Sequence, residues 1–80
     1  MANRTDLQDW VFNALTSLGG SGSIVDVAKM LWKEHEQDLR SSGDMFYTWQ
    51  YDMRWAATKL REQNKIKSAE ESPRGVWLLV

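Results

Sequence analysis

The 80-residue chain contains no cysteine, so neither a disulfide framework nor a thiolate metal site can supply stability. It has a single histidine, His35. The residues one turn before and after it are Leu31 and Leu39, so no metal-ligating pair runs along that helix. Glu34 and Glu36 are its sequence neighbours and do not share its face. No phosphate loop is present either. The glycine-rich stretch "GGSGS" (19–23) lacks the Gly-Lys-Ser/Thr ending of the P-loop and the preceding strand of a dinucleotide fingerprint. The carboxylate pairs Asp6/Asp9 and Glu70/Glu71 are accounted for by helix-dipole compensation and by a solvated loop. These absences leave catalysis no foothold. The sequence predicts a non-enzyme, with no metal, no cofactor and no small-molecule substrate evident.

Long apolar runs are absent too. No stretch approaches the roughly 18 residues a membrane span needs, and the opening "MANRTDLQDW" has no apolar core of the signal-peptide kind. A cytoplasmic protein is the expectation, with no membrane partner. Excess charge of one sign is also missing: the formal net charge is −1 and the pI about 5.7, which argues against a strong, indiscriminate nucleic-acid binder. The charges are unevenly spread. Residues 1–43 carry four Lys/Arg against six Asp/Glu, and residues 44–80 carry six against five, so any basic surface is modest and expected in the second half.

What the chain does have is aromatic bulk. A domain this short buries only about two-thirds of its unfolded surface. Its five tryptophans (Trp10, Trp32, Trp49, Trp55 and Trp77) answer that need, each able to bury roughly 150–250 Å². One domain, 1–80, is expected. Leu7, Trp10, Val11, Ala14, Leu15 and Leu18 follow a single helical face, predicting a first helix over about 6–18. Thr5 and Gln8 read as its capping box, and Gly19-Gly20 as its stop. A short strand-like piece falls at 21–23. Ser23 and Asp26 open a second helix, which runs to about Leu39 with its last turns largely solvated.

Asp44 reads as the cap of a third helix, from about Met45 to Gln63, whose core arc is Trp49, Met53, Ala56, Ala57 and Leu60. Lys65-Ile66-Lys67 then alternates as a half-buried strand does. The turn Ser72-Pro73-Arg74-Gly75 leads into a second strand at 76–80. Helix, tight turn, helix, helix and β-hairpin form the plan of a winged helix-turn-helix: mainly α with a small β-hairpin, three helices plus a wing.

The stretches "ALTSLGGSGSIVDVAKML", "RWAATKLREQNKI" and "SPRGVWLLV" resemble the N-terminal winged-helix domain of Mrr-type restriction-system proteins. The shared features are an Ala-Leu-x-x-Leu-Gly-Gly opening, an Arg/Trp-Ala helix and a Gly-Val-Trp-x-Leu final strand. The resemblance spans about residues 14–80 and rests on helix ends, a core tryptophan and a wing strand, which are structural motifs. It implies a DNA-reading module. Because the sequence ends at Val80 without a nuclease domain, it does not imply cleavage.

On that plan the third helix enters the major groove and the wing touches the backbone. Arg54, Lys59, Arg61, Lys65, Lys67 and Arg74 are candidates for phosphate contact. Thr48, Gln50, Tyr51 and Thr58 are candidates for base or sugar contact. Taken singly, each is better explained as the solvent face of a helix. Asp52 and Glu62, on the same helix, oppose phosphate. The expected partner is double-stranded DNA, bound weakly to moderately and in a salt-sensitive way, with a second copy of the chain as the natural route to affinity.

Trp55 points away from the core arc. The expected cover is the wing, against Ile66 or Trp77. If Trp55 is instead exposed, it joins Tyr47 and Tyr51 in an apolar patch for another protein or a second copy; base stacking is a third role.

Overall fold

Three helices and one small sheet meet around a single apolar core in the computed structural model, which describes residues 2–80. The order is α1 (Asp6–Ser17), β1 (Ser21–Ser23), α2 (Ile24–Arg40), α3 (Met45–Glu62), a 3₁₀ turn (Ala69–Glu71) and β2 (Val76–Leu78). This is the winged helix-turn-helix arrangement the pattern predicts. Among the described residues, no helix is long and apolar enough to cross a membrane.

The periodic apolar residues go where their spacing sends them. Leu7, Val11, Ala14 and Leu15 of α1 are buried, as are Val27 and Leu31 of α2. All five residues of the expected α3 arc are buried, and Met45 joins them. Trp49 also stacks on half-buried Trp32, with centroids 6.0 Å apart, which ties α3 to α2. Ile66 and Trp77 close the core from the wing side.

Helix ends are set by specific hydrogen bonds. At the end of α1, Gly19 N–H donates to the Thr16 carbonyl (3.1 Å) and Gly20 N–H to the Leu15 carbonyl (2.8 Å). This Schellman closure needs a left-handed residue after the cap, and Gly19 sits at φ +89°. α3 ends in the same way with Asn64 at φ +61°, its N–H on Arg61 and that of Lys65 on Leu60. Asparagine is the non-glycine residue that tolerates this conformation best.

Two expected N-caps are not made. Thr5 is already helical, and its side chain makes no cap bond. Asn3 takes the role two residues earlier: its Oδ1 accepts from Thr5 N–H (2.9 Å) and Asp6 N–H (3.2 Å), while an Asp6 carboxylate oxygen accepts from Asn3 N–H (3.0 Å). Asp44 is likewise helical and caps nothing with its side chain. The Gly43 and Asp44 carbonyls accept from Phe46 and Tyr47 instead. Ser23 does cap α2, accepting from Asp26 N–H at 3.0 Å.

The last turns of α2 are largely solvated as expected, with Lys33, Glu34, Gln37, Asp38 and Arg40 exposed, but the face that carries His35 and Leu39 packs inward. His35 breaks the helical dihedrals (φ −129°, ψ 22°), and its ring stacks on Trp10 with centroids 3.8 Å apart and planes 4° from parallel. Leu39, beyond this kink, is fully buried.

The wing's pairing is distributed over three segments. β2 runs antiparallel to β1, with Ser21 opposite Leu78, Gly22 opposite Trp77 and Ser23 opposite Val76. The expected strand at 65–67 contributes one bridge, Ile66 to Leu79, with Lys67 N–H on Leu78 O and Val80 N–H on Lys65 O. It goes no further: the Lys67 carbonyl accepts from Arg61 Nε on α3 (3.1 Å), and the chain then turns into the 3₁₀ segment.

Two substitutions test these assignments. Asn3→Ala is expected to lower stability by about 1 kcal/mol, which in a domain of this size lowers Tm by roughly 4–8 °C, whereas Thr5→Ala changes it little. Leu39→Ala is expected to cost about 2–5 kcal/mol in chemical denaturation, where a solvated leucine would cost almost nothing.

Candidate nucleic-acid interface

The turn between α2 and α3 sets these helices side by side and leaves a groove of about 660 Å³ between them. From α2 it is lined by Ile24, Val25, Ala28, Lys29, Trp32 and Lys33, and from α3 by Phe46, Trp49, Gln50, Met53 and Arg54. A second depression, of about 380 Å³, lies under the wing and is lined by Ile24, Arg61, Ser72, Arg74 and Trp77 among others. Ile24 belongs to both. The two therefore adjoin at the first turn of α2, where the Ile24 backbone N–H donates to Gly75 O at 3.0 Å.

The lining of these two depressions carries five cationic side chains, Lys29, Lys33, Arg54, Arg61 and Arg74, and no carboxylate. In a chain of net charge −1 this is a local segregation of charge. Asp52 and Glu62 line neither depression. Asp52 accepts from Thr48 Oγ1 (2.7 Å), and Glu62 from Lys59 Nζ (3.4 Å). Arg61 is half-buried, and its Nε–H bond to the Lys67 carbonyl aims the guanidinium along the root of the wing.

The residues singled out from sequence are divided by the fold. Gln50 and Arg54 line the α2–α3 groove, and Arg61 and Arg74 line the adjoining depression under the wing. Tyr51 and Thr58 line a neighbouring hollow with Arg4, Asp52, Arg54 and Trp55, and the Thr58 hydroxyl is spent on the Arg54 carbonyl (3.2 Å). Lys67 faces a further hollow beside Arg61, Ser68 and Glu71. Thr48 and Lys59 are engaged with the two acids. Lys65 lies elsewhere, its ammonium 5.9 Å from the centroid of the Phe12 ring on α1.

Trp55 is covered from a direction the sequence does not indicate. The wing does not reach it: Trp77 is buried beside Ile24 and Arg61, and Arg61 and Trp55 project from different flanks of α3. The Arg4 guanidinium lies 3.8 Å above the ring instead, with Lys59 at 5.8 Å. Tyr47 and Tyr51 remain open to solvent, 83% and 79% exposed.

Lys29 and Lys33 are the residues that sequence reasoning missed. They sit one position beyond the Ala28–Trp32 stripe of α2, so the signal was a Val25-Lys29-Lys33 row bordering the core face. Its meaning depends on which helix lies alongside. Arg4 gave no signal. Among the described residues, no cluster of three or more acidic or histidine side chains is placed to hold a metal. Comparison of the chain with family models, curated proteins and solved structures finds no match.

Arg61→Ala removes a charge-assisted bond to a wing carbonyl. It is expected to cost about 1.5–3 kcal/mol and to speed hydrogen exchange of the wing amides at 67–75 more than those of α1. Uniform acceleration across all helices would mean that the bond does not hold the wing.

Proposed function

We propose that this chain is a cytoplasmic winged-helix module that binds duplex DNA, regulatory or accessory to a DNA-processing system. In this it would act like the N-terminal domain of the Mrr-type proteins its motifs resemble. It is a binding module, not a catalyst. The observation that carries the reading is the pair of adjoining depressions that share Ile24, with five cations and no carboxylate in their lining.

Lys29 and Lys33 on α2, with Arg61 and Arg74 at the wing, are phosphate contacts. Gln50 and Arg54 on α3 are the side chains that reach base edges, where Gln pairs with adenine and Arg with guanine. Phosphate contacts position the module and a small number of base contacts specify it. Such an interface gives affinity that falls steeply with salt, which is compatible with an acidic pI because only the local field meets the duplex.

A second reading is favoured by Tyr47 and Tyr51, whose exposure is high for aromatic side chains one turn apart on one helix. They would form the centre of a protein-binding or homodimer surface, with Trp55 and its covering Arg4 at the edge.

Fluorescence anisotropy with mixed-sequence duplex, at roughly 50 and 200 mM salt, separates the two. With three to five phosphate contacts the affinity is expected to drop by about 40- to 500-fold between these salts. Arg54→Ala and Arg74→Ala are each expected to weaken binding, Arg74→Ala reducing the salt slope by about one, and Lys65→Ala to have a smaller effect. No binding at the lower salt sinks the DNA reading. Loss of a concentration-dependent dimer in Tyr47→Ser/Tyr51→Ser, seen by sedimentation, would then support the second.

A further inference from the structure

The groove between α2 and α3 has a floor that duplex DNA does not use. Phosphates satisfy Lys29, Lys33 and Arg54 but offer nothing apolar to Val25, Trp32 and Phe46. Val25 is 61% exposed, and Trp32 and Phe46 are only half-buried. An apolar floor with a rim of one charge sign requires an occupant with both properties.

From these features we infer that the α2–α3 groove docks an acidic amphipathic helix from a partner protein. Apolar side chains of that helix enter the groove, and Asp or Glu on both of its flanks meet the cationic rim.

Size and charge support this occupant. Ile24, Ala28 and Trp32 form the α2 wall at i, i+4 and i+8, a length of about 12 Å, matching a helix that presents anchors at i, i+4 and i+7. The volume of about 660 Å³ accepts two or three large side chains. Lys33 and Lys29 lie on one rim and Arg54 on the other, with no acid in the lining, so carboxylates on both flanks of the docked helix are paired and a basic helix is repelled. Arg40 lies outside the lining, its guanidinium 5.0 Å from the Trp32 ring centroid and 6.0 Å from that of Phe46. Its Nε is tied to Glu36 at 2.8 Å. The inference goes beyond DNA binding and does not depend on it, because it rests on the apolar floor, which a duplex seated on the cationic rim leaves uncontacted.

The test uses a designed, dye-labelled helical peptide of about four turns with Leu, Phe and Leu as anchors and Glu on both flanks. Two comparison peptides carry the same residues scrambled, or Lys in place of Glu. The acidic helix is expected to bind the full chain, measured by anisotropy and by a change in tryptophan emission from Trp32 and Trp49. The other two are expected to bind at least about tenfold more weakly. Val25→Glu and Lys33→Glu, both at exposed positions that leave the far-UV circular dichroism unchanged, are each expected to weaken the acidic peptide by about tenfold or more. Asn13→Glu on α1 is expected not to.

Equal binding of the scrambled peptide, or equal binding to Val25→Glu, overturns the proposal. So does a dimer of the free chain that Val25→Glu dissociates, which would make a second copy the occupant. Binding of dodecanoate in the groove without binding of the acidic helix overturns it in favour of a small amphipathic acid. Because no DNA is present, failure here is separate from failure of duplex binding.

Discussion

The three-residue ladder between Ser21–Ser23 and Val76–Leu78 is the constraint on which the rest of this small fold depends. It joins the turn after α1 to the last strand and buries Trp77 against the helices. Ser23 ends β1, pairs with Val76 and caps α2 in one stroke. The next residue, Ile24, hydrogen-bonds the Gly75 carbonyl at the wing turn and lines both depressions of the candidate interface. The direction of α2, the placement of the wing and the adjacency of the two depressions therefore share one origin. An isolated two-stranded ribbon is marginal in water; here it persists because the tryptophan it carries is part of the core.

Charge follows from the same packing. A net charge of −1 describes the chain and not its faces. Acids on α3 are held by Thr48 and Lys59 away from the groove, while α2, from the more acidic half of the sequence, turns two lysines toward it. A ligand approaching at the Debye distance of about 8 Å senses this local field more than the total. On the proposed readings a duplex answers the cationic rim alone, and an acidic amphipathic helix answers both rim and apolar floor.

Most of the fold was legible in the sequence because its signals are local. The core faces of α1 and α3 followed from i, i+3 and i+4 spacing, the end of α1 from Gly19-Gly20, and the wing turn from Pro73 and Gly75. The errors fell where two local signals competed or where a distant partner decided. Asn3 and Thr5 are both good caps, and the Asn3–Asp6 reciprocal bond won. Leu39 looked isolated in a charged run, yet the break at His35, whose ring lies on Trp10, goes with its burial. The strand at 65–67 is reduced to one bridge, and its Lys67 carbonyl is bonded by the Arg61 side chain instead.

Helix content and the winged plan were determined by the sequence alone, since periodicity and caps act within a few residues of one another. Which charges meet was decided only by the tertiary structure. Gln50, Arg54, Arg61 and Arg74 are gathered with Lys29 and Lys33 because α2 and the wing lie along one flank of α3. Lys65 and Lys59 are turned elsewhere, and Trp55 is covered by an arginine 51 positions away in the chain. A side chain's flank can be read from helical spacing, but the neighbour on that flank is set by packing between elements, for which no local pattern exists.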